Sequence, residues 1–145
     1  MSLDGTYDPD NIFAKIVRGE APSAKVYEDA DTLAFMDVFP QASGHVLVIH
    51  KRSTARNLLE VDDADLAAVM RTTRKVARAV RQALKPDAIA IMQFNGAASG
   101  QTVYHLHVHV IPRTEGVPLG RHASGGMADP KVLAEQAAAI AAAIR

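Results

Sequence analysis

A chain of 145 residues with 48% hydrophobic and 22% charged side chains suits one compact domain, and its lack of cysteine excludes a disulfide scaffold, a thiolate nucleophile and a cysteine-ligated metal. Sixteen basic and sixteen acidic residues cancel, which disfavours capture of a nucleic-acid polymer or an anionic membrane. That sum omits six histidines, three of them within five residues at His105, His107 and His109.

Residues 1–9 read as a flexible polar arm, 10–113 as the main domain, and 114–145 as a C-terminal loop and helix. No signal peptide is evident and no run reaches the roughly 18 apolar residues of a membrane span, so a cytoplasmic chain is expected. Ile12, Phe13, Ile16 and Val17 predict a short helix over 10–18, stopped by Gly19. Strands are expected at 25–28 and 32–38, forming a hairpin across Asp29-Ala30-Asp31, and a buried strand at 45–50.

The clearest helix opens at Asp62 with an acidic first turn and stops at Pro86. Its predicted apolar stripe is Leu66, Val69, Met70, Thr73, Val76, Ala77, Val80 and Leu84, leaving Arg71, Arg74, Lys75, Arg78, Arg81 and Lys85 on a face read as solvated, with a phosphate-facing patch as the alternative. A strand at 88–95, a glycine turn at 96–100, a longest strand at 102–111 ended by Pro112, a loop over 114–126 and an alanine-rich helix over 129–145 complete the chain. This pattern predicts an antiparallel α+β fold of about five strands and two main helices, plus the C-terminal helix.

Period-two alternation in the last strand puts Val103, His105, His107, His109 and Ile111 on one face, a groove or solvent-facing wall, while Leu106, Val108 and Val110 point to the core. Three aligned imidazoles suit either of two chemistries. As neutral ligands they suit zinc, copper or nickel, although alternate positions about 6–7 Å apart reach one ion only with strong twist or a bulge. As acid, base and nucleophile they suit an anionic substrate, with the glycine turn supplying backbone N–H donors to phosphate oxygens.

The run Gly100-Gln101-Thr102-Val103-Tyr104-His105-Leu106-His107-Val108-His109-Val110-Ile111 resembles the signature of the histidine triad (HIT) family, and the similarity extends over about residues 10–113. The resemblance implies a HIT-like sheet and a hydrolase or transferase acting at the α-phosphorus of a nucleotide. His107 would form a covalent nucleotidyl-histidine, His105 would orient it through its carbonyl, and His109 and His45 would contact the phosphate. Asn95, Gln101 and Thr102 would hold phosphate oxygens or the leaving group, Asp37 the ribose, and Ile12, Phe13 and Val38 a purine.

By the same resemblance the substrate is a purine nucleotide, most closely a nucleoside phosphoramidate, with diadenosine polyphosphates or non-catalytic nucleotide binding as alternatives. Aspartate at 37 and the Ile12-Phe13 start lean toward the Hint branch. A homodimer is implied, with the sheets continuous across it and the helix carrying Leu66 and Leu84 near the interface. Many bacterial relatives build a structural zinc site from Cys-x-x-Cys and a later histidine; those positions are Asn11, Ala14 and Ser53 here, so no metal and no cofactor is expected. His50 and His122 have no counterpart in the motif and read as surface or loop residues.

Overall fold

The computed structural model describes residues 2–120 and 126–145; His122 lies outside them. In chain order the elements are α1 Ile12–Val17, β1 Lys25–Glu28, β2 Thr32–Met36, β3 Val46–His50, α2 Asp63–Leu84, β4 Ala88–Met92, β5 His107–Arg113 and α3 Pro130–Ala142. The strands form one antiparallel sheet in the order β1-β2-β3-β5-β4, giving the expected α+β fold.

Local chemistry sets the helix ends. The Asn11 side chain accepts from Ala14 N at 3.0 Å to open α1, and Asp62 accepts from Asp65 N at 2.8 Å to open α2. Lys85, at φ 50°, turns the chain out of α2 ahead of Pro86. Buried in α2 are Ala68, Val69, Thr72, Thr73, Val76, Ala79 and Val80, whereas Met70 is exposed. The buried stripe is thus rolled from the predicted one, and Thr72 replaces Met70 by sharing a 2.6 Å hydroxyl hydrogen bond with Thr32 under the sheet.

Alternation along β2, β3 and β5 divides two apolar layers. Ala34, Met36, Val46, Val48, Val108 and Val110 face α2 and α3, meeting Val69, Val76, Val80, Leu133 and Ile140. Leu33, Phe35, Leu47 and Ile49 pack on the opposite face with Phe13 of α1. Both faces are therefore covered, and every residue of β2 and β3 is buried.

The last strand differs from expectation at both ends. β3 stops at His50, opposite the start of β5 at Ile49↔His107, so residues 102–106 have no strand beside them; Leu106 N instead donates to Ala55 O at 3.0 Å. Pro112 lies inside β5 rather than ending it. Pairing with β3 stops at Val46↔Val110, and Pro112 is paired only with Ile89 of β4, where a missing N–H is tolerated. Beyond β5 the chain returns past the β2–β3 connection, Gly120 N donating to Gln41 O and Ala128 N to Val38 O. Among the described residues, no helix is long and apolar enough to cross a membrane.

Candidate functional site

His107 and His109 lie on the face of β5 opposite α2, and His105 lies two residues before the strand. The expected open wall is instead a covered one: His105, His107 and His109 are only 2%, 7% and 3% exposed. The Phe13 ring stands edge-on to His107 with centroids 4.9 Å apart, and Phe94 lies 5.2 Å from His109.

Hydrogen bonds to backbone groups of fixed polarity assign the protons. His107 Nδ1 lies 2.7 Å from the carbonyl oxygen of His105, which can only accept, so Nδ1 carries the proton and neutral His107 keeps its lone pair on Nε2. His105 Nε2 likewise donates to His50 O at 3.0 Å, leaving Nδ1 to accept from the Tyr7 hydroxyl at 2.8 Å. Burial lowers the His105 pKa below its ordinary value, against the opposing effect of the hydrogen bond to the His50 carbonyl.

A second chain of bonds orients His109. Gln41 N donates to His45 Nδ1 at 3.0 Å, so the single proton of neutral His45 is on Nε2, which lies 2.8 Å from His109 Nδ1. His109 Nδ1 is then the acceptor, and its own proton stands on Nε2. Asp37 is buried beside this pair: one carboxylate oxygen accepts from Phe39 N at 2.8 Å and the other lies 3.5 Å from His45 Nε2. The ligand atoms of Asp37, His45 and His109 lie within 4.8 Å of one another, compact enough to hold a metal ion.

Two cavities meet at His107. One, of about 440 Å³, is lined by Ile12, Phe13, Asp37, Val38, Val103 and Met127 together with Thr102 and His107. The other, of about 310 Å³, is lined by Gln41, Phe94, Ser99, Gly100, Thr102, His107 and His109. Thr102 is exposed at their junction. Both volumes are of the size that holds a small ligand.

Two predicted phosphate ligands make side-chain bonds within the protein. Gln101 is buried, with Oε1 accepting from Gly96 N and Nε2 donating to Arg56 O and Val103 O, so it clamps the glycine turn rather than facing a ligand. Asn95 presents its side-chain oxygen to Leu58 N and Gln93 Nε2 and lines neither cavity. His50 is not a surface histidine. It is 3% exposed, its Nδ1 accepts from Arg52 N and Ser53 N, and its Nε2 lies 3.1 Å from Asp65. Position at the end of an all-buried strand was the available signal for it; nothing in the sequence pattern singled out Tyr7 or Gln41.

The positions matching the relatives' zinc site do not fit zinc. Asn11 caps α1, Ala14 has no donor atom, and the Ser53 hydroxyl accepts from Ala55 N.

A HIT domain model matches residues 18–116. A solved Hit-like protein from Bartonella henselae, described as involved in cell-cycle regulation, is 51% identical with a TM-score of 0.87, over 95% of this chain and 99% of that one. A zinc-bound histidine triad family protein from Mycobacterium smegmatis is 34% identical with a TM-score of 0.79, over 92% of both chains. An adenylylsulfatase of Arabidopsis thaliana is 37% identical over 110 residues, 76% of this chain and 55% of that protein.

Proposed function

The chain belongs to the HIT domain family, and from that premise we propose that it is a purine nucleotide hydrolase working through a nucleotidyl-histidine at His107, with nucleoside phosphoramidates as its best substrates. The observation that carries the reading is the 2.7 Å bond from His107 Nδ1 to His105 O, which aims the chemistry of the ring at Nε2, between an apolar and a more polar cavity.

The base occupies the cavity of Ile12, Phe13 and Val38, with the ribose toward Asp37, and the α-phosphate lies against Thr102, His107 and His109. Nε2 of His107 attacks the α-phosphorus as the bond to the leaving group breaks; the leaving nitrogen takes the electron pair of that bond and a proton from a water molecule, leaving hydroxide. The Nε2–H of His109, set by His45 and Gln41 N, donates to the charge that develops on phosphate oxygen. The hydroxide of that water, equivalent to a water that has given up one proton, then attacks the phosphorus, cleaves the N–P bond and releases the nucleoside monophosphate and neutral His107.

The adenylylsulfatase relative favours a second leaving group, sulfate, on the same α-phosphate chemistry. The test is a hydrolysis panel of adenosine and guanosine phosphoramidates, adenylyl sulfate and diadenosine polyphosphates. Phosphoramidates are expected to give the highest kcat/KM. Faster cleavage of another class would reassign the substrate, and tight nucleotide binding without turnover of any would replace the enzyme by a binding module.

The edge strand β4 supports a homodimer. Among the described residues one side of this Ala-Ile-Ala-Ile-Met strand has no sheet neighbour, and Ile91 is 45% exposed. Pairing with β4 of a second copy continues the sheet and covers the edge. Wild type should sediment as a dimer at micromolar concentration and Ile91→Asp as a monomer; a monomeric wild type would refute the pairing.

A further inference from the structure

We propose that Tyr7, in the segment ahead of α1, is a positioning residue for the nucleophile, a role that rests on the hydrolase reading above. Its hydroxyl is 2.8 Å from His105 Nδ1, and it lines neither cavity at His107. The direction of the bond follows from the other side of the ring. The His50 carbonyl accepts from His105 Nε2, so a neutral His105 offers Nδ1 only a lone pair, and the tyrosine must donate.

With both nitrogens engaged, the buried His105 ring is held in one orientation and one tautomer. Exchange to the other tautomer would set a nitrogen lone pair against the His50 carbonyl oxygen. The ring in turn fixes the backbone of His105, whose carbonyl accepts the Nδ1 proton of His107. Tyr7 thus sits two hydrogen-bonded steps from the attacking nitrogen's ring without touching the ligand space.

The segment that carries Tyr7 is itself tied down. Leu3 O accepts from Asn57 Nδ2 at 3.3 Å and from Arg56 Nη1 at 3.4 Å, and the Leu3 side chain packs over Gly96. A Cβ on Gly96 would come within 3.2 Å of Leu3 and Ser2, so the glycine permits this close approach. The arm therefore reaches the histidines along a defined path.

Tyr7→Phe removes the hydroxyl and keeps the ring, which stands 5.7 Å from that of His105. Misplacement of a reacting group by a fraction of an ångström to 1 Å lowers rate rather than ligand affinity, so kcat should fall about 10- to 100-fold with KM within about twofold. The fall in kcat at a nearly constant KM is the readout that a merely structural role would not give, and nitrogen NMR reads the hydrogen bond itself. In wild type the His105 Nδ1 resonance is that of an unprotonated nitrogen accepting a hydrogen bond; in Tyr7→Phe it should move downfield, toward that of an unbonded nitrogen.

An unmoved Nδ1 resonance, or a kcat within twofold of an active wild type, would overturn the role of Tyr7. Failure of the hydrolase reading shows separately, as absence of turnover by wild type.

Discussion

His107→Asn should abolish turnover of adenosine phosphoramidate, lowering kcat about 10⁴- to 10⁶-fold, the loss that follows removal of an attacking nucleophile. The substitution is selective because of how His107 is held. Its Nδ1–H donates to His105 O at 2.7 Å, and an asparagine amide can supply a donor near that point, but nothing replaces Nε2. The edge-on contact with Phe13 is lost, at a cost of about 1 kcal/mol, or about 2–4 °C in Tm for a domain of this size. Rapid quench with phosphate-labelled substrate should trap label on wild type and none on the variant. Retained turnover or retained label would remove His107 from the role of nucleophile.

The same geometry explains what the sequence could reveal and what it could not. Helix α2 was legible because an acidic cap, a regular apolar stripe and Pro86 are all local signals; its roll about its own axis was not, since the choice of Thr72 over Met70 depends on Thr32 across the interface. The β1–β2 hairpin is equally local, with Asp29 accepting from Asp31 N and Thr32 N in the turn. By contrast, the start of β5 depends on where β3 ends, a non-local fact, so alternation extended the strand five residues too early.

Alternation also placed His107 and His109 correctly on the face opposite Val108 and Val110. It could not show that Phe13, some 90 residues earlier in the chain, closes over that face, so burial of the triad was missed. The motif brought together His105, His107, His109, His45, Asp37 and Thr102, and the structure collects them at the two cavities or in the hydrogen-bonded chains behind them. At Asn95 the side-chain oxygen, and at Gln101 the whole amide, meets protein groups. An amide beside a glycine turn offers the same donors whether a phosphate or the turn's own backbone takes them, and only the fold decides which.

Gln101 makes that distinction measurable. Three buried or part-buried backbone groups depend on its amide: Gly96 N–H at 2.8 Å, Arg56 C=O at 2.7 Å and Val103 C=O at 3.0 Å. Gln101→Ala leaves them without these partners and should cost about 2–4 kcal/mol, read as a lower urea midpoint with an unchanged m-value. Activity should fall chiefly because Ser99 and Gly100, which line the smaller cavity, lose their anchor. A phosphate ligand would behave oppositely, with KM raised and the urea midpoint unmoved. Gln101→Glu sharpens the contrast. One carboxylate oxygen can still accept from Gly96 N, but the other faces two carbonyl oxygens, so a side chain of nearly equal shape should destabilise at least as much as alanine. If Gln101→Glu keeps wild-type stability and changes only KM, the clamp is wrong and the amide belongs to the substrate.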